Sequence, residues 1–353
     1  MAAVNEQVIL DALATVTDPD RGKDIVSLGM VSGIVIKDGH VAFAIEVDPK
    51  RGPHLEPLRK AAERTVHALP GVLTVSAVLT AERQAPPPPR MPPGREPLIA
   101  NLLPQVKAVI AVASGKGGVG KSTTAVNLAL AFKDLGLTVG MFDADIFGPS
   151  QPRLLGVAGV KPDSVDGRTI EPVMAYGLKV MSIGFMVPEE SPVVWRGPMV
   201  MGALEQLMRD VNWGPLDLVV VDMPPGTGDT QLTMTQKVPL AGAVIVSTPQ
   251  DIALLDARKG LNMFRKVDVP VFGIIENMSL YRCPQCGHEA HIFGHGGARA
   301  EAERLGVDFL GELPLDIDIR TTGDEGKPIM VSQPDSPLAQ AYKAIAGKIL
   351  AKL

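Results

Sequence analysis

Gly115-Lys116-Gly117-Gly118-Val119-Gly120-Lys121-Ser122 is the stretch that decides the fold, because it has the full G-x-x-x-x-G-K-S spacing of a phosphate-binding loop. An apolar run at 109–113 precedes it and a helical pattern at 123–135 follows, so the loop joins a strand to a helix. Glycines let successive backbone N–H groups approach phosphate oxygens, and the positive end of the helix favours the same anion. We predict that this stretch and Thr123 bind a nucleotide; a glycine-rich turn with a chance Lys-Ser pair is the alternative.

Magnesium ligands are expected at two places. Lys121 is predicted to reach the β- and γ-phosphates, while the Ser122 hydroxyl contacts Mg²⁺. Asp222 ends a second apolar run, 218–221, and begins the segment Asp-Met-Pro-Pro-Gly-Thr-Gly-Asp. A carboxylate there can hold Mg²⁺ through its water shell, and the glycines and prolines behind it can change shape when the γ-phosphate leaves. The alternative is an ordinary turn after a core strand.

Composition narrows the class of protein. The 353 residues include 46% hydrophobic residues and two cysteines, and the net charge is −5. This predicts folded domains with large cores. The negative charge argues against binding nucleic acid through bulk electrostatics, and two cysteines are too few for a disulfide framework, which favours a reducing cytoplasm. We expect no secretory signal and no membrane segment, because no run approaches about 18 apolar residues.

Residues 1–83 are predicted to form a small α+β domain. Helical patterns lie at 4–16 and 55–69, and strand patterns lie at 31–36, 41–47 and 72–79, with a hairpin turn at Asp38-Gly39. Residues 84–98 are predicted to be a linker, because the run Ala85–Gly94 contains six prolines and cannot continue a helix or a central strand. A ligand for a proline-binding module is the alternative.

Residues 99–353 alternate short apolar runs with helical segments, which predicts an α/β domain with a mostly parallel sheet covered by helices. Candidate strands lie at 109–113, 138–142, 218–221, 243–247 and 271–275. The strand at 138–142 leads into Asp143 and Asp145, at the edge where an open parallel sheet carries its functional residues. A carboxylate on a mobile loop there can position the water that attacks the γ-phosphate. Alternatively, both aspartates cap the strand and the next turn.

Cys283-Pro284-Gln285-Cys286 places both cysteines of the chain in one turn, followed by Gly287-His288. Thiolates at this spacing suit zinc or an iron–sulfur cluster. One chain supplies two thiols and a cluster typically takes four, so a two-fold dimer would complete the ligand set. The alternatives are a dithiol redox pair, two buried structural cysteines, or zinc held within one chain by Cys283, Cys286, His288 and His291.

The loop also resembles the deviant phosphate loop of the MinD/ParA/nitrogenase-iron-protein class of ATPases. In that class an extra lysine, here Lys116, reaches the nucleotide of a partner subunit. The resemblance implies a homodimer with ATP near its interface and catalytic roles for Lys116 and Lys121. It further implies that Asp145 acts on the attacking water, that Asp143 supports the magnesium shell and that Asn277 reads the adenine.

A wider set of motifs resembles the Mrp/ApbC/Nbp35 family of iron–sulfur cluster carriers. The set comprises the phosphate loop, Asp143–Ser150, Trp195–Met199, Asp222–Asp229 and Cys283–His288. It implies a dimer that bridges a 4Fe–4S cluster between Cys283 and Cys286 of two subunits. Such a dimer hydrolyses ATP slowly and transfers the cluster to apo-proteins. Its implied partners are apo iron–sulfur proteins and assembly factors. Gly311-Glu312-Leu313-Pro314 resembles the loop that packs on the base in related ATPases.

The first domain has a resemblance of its own. Asp18–Asp20 and Ile25–Val31 resemble the MIP18-type domain, which is associated with iron–sulfur assembly. That type often carries a cysteine after its hairpin, whereas the equivalent stretch here, Glu46–His54, has none. We therefore expect a docking or regulatory module without thiolate chemistry.

Two rival functions and a third class stay open at this point. A ParA- or MinD-like positioning ATPase could use the amphipathic stretch 338–350 on a membrane, although a packed terminal helix is the expected reading of that stretch. A regulatory ATPase could bind zinc at the cysteine pair and carry no cluster. A non-enzymatic adaptor would bind nucleotide without turnover.

Overall fold

The computed structural model of the protein describes residues 6–37, 40–47, 55–81, 102–164, 166–187 and 197–353. The chain divides into two compact units, Met1–Pro97 and Leu98–Leu353. Several predictions fall outside the described residues. They are the Asp38-Gly39 turn, the 48–54 part of the stretch without a cysteine, the linker at 84–98 and Trp195-Arg196.

The first unit is an α+β fold, as the sequence predicts. Its described elements are α1 (Glu6–Leu13), β1 (Val31–Lys37), β2 (His40–Val47), α2 (Glu56–His67) and β3 (Thr74–Ala81). β2 pairs antiparallel with β1 and parallel with β3. Leu58, Ala62 and Val66 recur every four residues on α2, so they share one face, and that face is buried.

The second unit is an α/β domain, which confirms the predicted fold class. Its described strands are β4 (Val106–Ala113), β5 (Val139–Asp143), β6 (Val173–Ala175), β7 (Leu178–Ser182), β8 (Leu216–Asp222), β9 (Gly242–Ser247), β10 (Val271–Arg282), β11 (Glu289–Ala290) and β12 (Phe309–Leu315). Its described helices are α3 (Lys121–Asp134), α4 (Gln151–Leu154), α5 (Gly197–Arg209), α6 (Asp229–Lys237), α7 (Asp251–Lys266), α8 (Gly297–Leu305), α9 (Ile317–Asp324), α10 (Ile329–Ser332) and α11 (Pro337–Leu350). A short 3₁₀ helix, Ile183–Phe185, follows β7.

The sheet of the second unit places the phosphate loop near its centre. Its strand order is β11-β10-β9-β4-β8-β5-β7-β6, and β12 also pairs with β10. Within the described residues, β6 and β11 run antiparallel to their neighbours and the other pairings are parallel. β4 lies between β8 and β9, so the loop that follows it is flanked by the carboxyl ends of both.

The register of the sheet brings the predicted acidic residues together. Asp143, the last residue of β5, pairs directly with Asp222, the last residue of β8. The next strand, β4, ends at Ala113, two residues before the phosphate loop. Parallel strands thus deliver both carboxylates and the loop to one edge of the sheet.

Two sequence predictions near β10 are wrong in their boundaries. The strand was predicted to end at Ile275, but it continues to Arg282, so Asn277 lies within it rather than after it. The predicted loop Gly311–Pro314 is part of β12, which pairs with β10. Each of these segments gains a strand neighbour that lies far away in the sequence, and local patterns do not reveal such pairing.

The C-terminal helix is packed within the second unit. Tyr342, Ile345 and Ile349 on one face of α11 are buried, and the helix contacts α3 and β12. This confirms the expectation of a packed terminal helix. No helix among the described residues has the length and apolar character needed to cross a bilayer.

Candidate functional site

Close packing around the phosphate loop explains two of its glycines. A Cβ at Gly115 would lie 2.1 Å from the backbone carbon of Asp256 on α7, so no side chain fits there. Gly120 has φ +79°, and a Cβ there would lie 2.1 Å from the side-chain nitrogen of Asn277. At Gly117 and Gly118, in contrast, a Cβ would meet no heavy atom of the described chain within 4 Å. The middle of the loop therefore has open space where a side chain would begin.

Lys121 lies between the two side chains predicted to hold magnesium. Its ammonium forms a buried ion pair with Asp222 Oδ1 and lies 3.2 Å from the Ser122 hydroxyl. The positive charge therefore occupies the space between a hydroxyl and a carboxylate, both of which are hard oxygen ligands of the kind that Mg²⁺ prefers. This donor set fits Mg²⁺ once Lys121 turns towards phosphate.

Asp143 is buried and bonded to its own loop. Its Oδ2 accepts hydrogen bonds from Ser150 N at 3.0 Å, Gln151 N at 3.1 Å and the Ser182 hydroxyl at 3.0 Å. Burial, followed by the charge of nearby Asp222, raises the pKa of Asp143 to about 7. These contacts show that Asp143 organises the segment 143–151; its part in the magnesium shell stays a prediction.

Asp145 lies at a small cavity between Asp143–Ser150 and Asp222–Asp229, the two segments expected to move with the nucleotide, which we call the first and second switches. The cavity encloses about 210 Å³ and is also lined by Phe147, Pro224 and Pro225. Burial raises the pKa of Asp145 to about 6, against the attraction of Lys121. A carboxylate with such a pKa accepts a proton more readily near neutral pH than an ordinary aspartate does.

Two adjoining cavities form a groove along the start of α3. One encloses about 320 Å³ and is lined by Gly120, Asn277, Met278 and Pro314, among others. The other encloses about 500 Å³ beside Ser122 and the segment 147–150, and both are lined by Thr123. The groove therefore runs from the phosphate loop to the two segments predicted to contact the base.

Asn277 contacts the phosphate loop itself. Its side-chain amide donates a hydrogen bond to the Val119 carbonyl at 2.8 Å, and the side chain is nearly buried. The sequence assigned Asn277 to the base, but its position behind Gly120 also braces the loop. Base recognition by Asn277 stays a prediction.

Lys116 lies half-buried at the start of the loop. Its carbonyl accepts a hydrogen bond from the Ser114 hydroxyl at 2.9 Å, which fixes the backbone there. Among the described residues no ion pair engages its ammonium. The contact of Lys116 with a partner subunit's nucleotide stays a prediction.

The two cysteines lie in a tight hairpin between β10 and β11. Gly287 N donates to the Cys283 carbonyl at 2.8 Å, and Cys283 N donates to the His288 carbonyl at 2.9 Å. Cys283 is half-buried, Cys286 is exposed and neither forms a disulfide. The N–H groups of Cys286 and Gln285 hold the pKa of the Cys283 thiol below its usual value, which favours the thiolate that binds metal.

The histidines near this hairpin do not complete a metal site with it. In the described part of the chain, no three side chains of the His, Cys, Asp and Glu types converge to hold a metal ion. The Nδ1 atom of His291 instead lies 3.2 Å from the Ser279 carbonyl, and its ring packs on His295 with centroids 4.2 Å apart. This arrangement does not support the single-chain zinc alternative.

Two residues at the site, Gln151 and Met278, were not predicted from the sequence. Gln151 is buried at the start of α4, and its side-chain nitrogen donates to Asp222 Oδ2 at 2.8 Å and to the Ser122 carbonyl at 3.1 Å. Met278 has φ +57°, a value that is unusual for a residue with a long side chain. The only feature of the sequence that could have indicated a role for Gln151 is that it directly follows the Asp143–Ser150 motif. No feature of the sequence indicates a role for Met278.

Comparison with known proteins places the chain in a family. Residues 105–350 match the family described as NUBPL iron-transfer P-loop NTPase, which is more than half of the chain. The chain belongs to this family. Residues 6–77 match a second family, described as iron-sulfur cluster assembly protein. Both matches confirm the resemblances seen in the sequence.

Relatives of this chain carry names that concern iron–sulfur clusters. It is 45% identical to the iron-sulfur cluster carrier protein of Synechocystis sp., over 98% of this chain and 97% of that protein. It is 54% identical to the iron-sulfur cluster transfer protein NUBPL of Mus musculus, over 70% of this chain and 78% of that protein. These two relatives come from a bacterium and from an animal.

Solved structures support the fold of the second unit. A nucleotide-binding protein from Archaeoglobus fulgidus in complex with ADP is 38% identical, with a TM-score of 0.60 over 69% of this chain and 94% of that protein. The cell division ATPase MinD of Pyrococcus furiosus is 22% identical, with a TM-score of 0.50 over 69% of this chain and 99% of that protein. The second likeness concerns the fold alone.

Proposed function

We propose that the protein carries an iron–sulfur cluster between its subunits and transfers it to apo-proteins, under the control of ATP binding and slow hydrolysis. The observation that carries the proposal is the hairpin of Cys283 and Cys286, which stands at the end of the strand that also contacts the phosphate loop. The names of the relatives support the cluster as cargo, and the proposed setting is a reducing cytoplasm.

A cluster shared by two chains follows from the number of thiols. One hairpin provides Cys283 and Cys286, and no third metal-binding side chain converges on them among the described residues. A cluster with four iron atoms takes four cysteine ligands in its common form, so two hairpins related by two-fold symmetry supply the full set. The exposure of Cys286 suits a cargo that has to leave.

ATP is the proposed nucleotide, bound at the groove with Mg²⁺. The residues that would hold Mg²⁺ are Ser122 and Asp222, with Asp143 supporting the loop beside them, and the ion would neutralise phosphate charge. Lys121 leaves Asp222 to contact the β- and γ-phosphates. Lys116 extends to the nucleotide of the second subunit, so that ATP draws the homodimer together.

Hydrolysis is assigned to Asp145. Its carboxylate accepts a hydrogen bond from the water that attacks the γ-phosphate, and its raised pKa makes it a better proton acceptor near neutral pH. Its place at the cavity between the switches lets the same motion that closes the dimer bring the water into position. We expect turnover to be slow, because hydrolysis resets a carrier rather than making a product.

Strand β10 provides the proposed route from nucleotide to cluster. Asn277 contacts the phosphate loop, Met278 lines the groove, and the strand ends at Arg282, the residue before Cys283. The pairing of β10 with β12 is interrupted between Asn277 and Tyr281, where Met278 has its positive φ. Backbone strain of this kind is typical of switch regions, so filling the groove can shift the hairpin beyond it.

Anaerobic reconstitution with iron and sulfide tests the cargo. We expect a dimer with about four iron atoms per two chains and a visible thiolate-to-iron absorbance band. The double variant Cys283→Ser/Cys286→Ser is expected to lose the iron and the absorbance band. The matched control His288→Ala/His291→Ala is expected to keep both the iron and the band. A colourless protein that retains one zinc ion per chain, lost in the histidine variant, would overturn the proposal in favour of a zinc-containing ATPase.

Transfer to an apo iron–sulfur acceptor tests the coupling to ATP. We expect Asp145→Asn to bind ATP but to hydrolyse it poorly, and thereby to change the rate of cluster transfer. If the transfer rate depends neither on ATP nor on this substitution, cluster transfer is independent of hydrolysis. The proposed control by ATP would then be wrong, and the proposed carrier role would remain. Co-sedimentation with liposomes in ATP serves as the test of a positioning ATPase, and we expect no binding.

A further inference from the structure

Gln151 connects three parts of the nucleotide site. Its side-chain nitrogen donates to the carbonyl of Ser122 at the start of α3 and to Oδ2 of Asp222 at the end of β8. Its backbone nitrogen donates to Oδ2 of Asp143 at the end of β5. The side chain is fully buried, so these bonds have no competition from bulk water.

The chemistry of its partners fixes the orientation of the Gln151 amide. The Ser122 carbonyl only accepts hydrogen bonds, and the Asp222 carboxylate accepts them when ionised, so the NH₂ group has to face both. The amide oxygen is then left without a hydrogen-bond partner in the described part of the chain. A buried orphan acceptor is unfavourable. Its presence therefore indicates that the two donated bonds determine how this side chain is placed.

We propose that Gln151 is a positioning residue that holds the Asp222 carboxylate in the orientation needed for a Mg²⁺-bound nucleotide. Asp222 has two oxygens, and Lys121 pairs with Oδ1 while Gln151 bonds Oδ2. When Lys121 turns to the phosphates, Oδ1 is freed on the side of the Ser122 hydroxyl. The bond from Gln151 then keeps the carboxylate from rotating. This inference rests on the proposed nucleotide site, and it adds a residue that the phosphate-loop motifs do not contain.

The same bonds make Gln151 a link between the first switch and the metal site. Gln151 follows Ser150, and the backbone nitrogens of both residues bond Asp143. A movement of the segment 143–151 therefore shifts the donor on Asp222 at the same time. Outer partners of metal ligands commonly change metal affinity by about 10–100-fold when they are removed.

Isothermal titration of ADP with and without Mg²⁺ tests this role, because it reads binding rather than turnover. Gln151→Met keeps the length of the side chain and removes the amide. We expect its ADP affinity in EDTA to stay within about twofold of the wild type, while the gain in affinity from Mg²⁺ falls by about tenfold. The matched control is Gln231→Met, which removes another buried amide whose nitrogen donates to the Pro224 carbonyl and not to Asp222. The control keeps the full gain from Mg²⁺.

Three other results would count against the inference. A Gln151→Met protein with the wild-type gain from Mg²⁺ overturns it, and so does a parallel loss of affinity with and without Mg²⁺, which marks a merely structural role. A wild-type protein that binds no ADP overturns the proposed nucleotide site itself. If circular dichroism shows that Gln151→Met is unfolded, Gln151→Asn replaces it, because the shorter amide cannot span both acceptors and is expected to show the same loss.

Discussion

The two ends of the proposed site on β10 differ in how firmly the protein holds them. Around the phosphate loop, Lys121, Asp143, Gln151 and Asp222 are buried and bonded to one another or to nearby backbone. At the far end of the strand, the cysteine hairpin is held mainly by two backbone hydrogen bonds and a short strand pairing. Cys286 is exposed there.

This difference matches what each end is proposed to bind. Phosphate and Mg²⁺ need ligands that are oriented in advance and shielded from water, because charge interactions strengthen in such surroundings. A cluster that is handed to another protein needs ligands that an acceptor can approach. One end is therefore built to hold its ligand in fixed geometry, and the other end is built to release its cargo.

Lys121→Ala is expected to give the largest effect, because it removes the charge that pairs with Asp222 Oδ1 among the described residues and that is proposed to contact phosphate. Truncating one partner of a buried charged pair costs about 2–5 kcal/mol. We expect ADP affinity to fall by about 100-fold in isothermal titration, and cluster transfer to lose its response to ATP. If the variant lost nucleotide binding and its transfer rate in the presence of ATP still equalled that of the wild type, the two ends would be uncoupled.

Two glycines of the loop should separate stability from binding. A Cβ at Gly115 meets the α7 backbone, so Gly115→Ala overpacks the site and is expected to lower stability by about 2 kcal/mol, or roughly 4–8 °C in melting temperature. At Gly117 the same substitution enters open space and should weaken ADP binding with little change in melting. Equal melting temperatures for both variants, by differential scanning calorimetry, would contradict the packing argument.

The fold and the loop could be predicted from the sequence because their signals are local. Glycine spacing, apolar runs and turn residues indicate β4, α3, β5, β8 and β9 within a few residues. The extension of β10 to Arg282 and the identity of β12 could not be predicted in this way, because they depend on pairing between Asn277 and Leu313 across more than thirty residues of chain.

The site residues that belong to a sequence motif could be predicted. The site residues whose role depends on contacts with distant segments could not. Asp143 and Asp222 follow apolar runs and were expected at the sheet edge, where the register pairs them. Gln151 is important only because its amide reaches two acceptors that come from distant segments. A long-range contact of this kind leaves no spacing pattern in the sequence.

Met278→Gly is expected to loosen the connection between the nucleotide end and the cysteine end of β10. Glycine accepts a positive φ without strain, so we expect the variant to be more stable by up to about 1 kcal/mol and its cluster transfer to respond less to ATP. The matched control is Asp268→Gly, which has a φ of 57° in the turn after α7 and should leave the ATP response intact.

The measurement for this pair is the ratio of transfer rates with and without ATP, alongside thermal melting. An unchanged ratio for Met278→Gly would show that the bend at Met278 does not carry the coupling. A reduced ratio in both variants would point to a general effect of added backbone freedom instead.

Glu289→Gln is expected to give the smallest effect. Glu289 pairs with Arg282 at the base of the hairpin, but both side chains are about half exposed or more, and surface ion pairs contribute about 0–1 kcal/mol. Iron content after reconstitution and the melting temperature should stay within error of the wild type. A clear loss of iron would mean that the hairpin is held more tightly than its exposure indicates.

β4 lies at the centre of the sheet, but it is synthesised before both of its neighbouring strands. Its neighbour β8 begins about 110 residues later in the chain, and β9 begins later still. At a synthesis rate of about 5–20 residues per second, the apolar strand of the phosphate loop leaves the ribosome roughly 5–20 s before either neighbour exists. During translation this apolar strand is therefore exposed for that time, and a chaperone that covers it would protect it from aggregation.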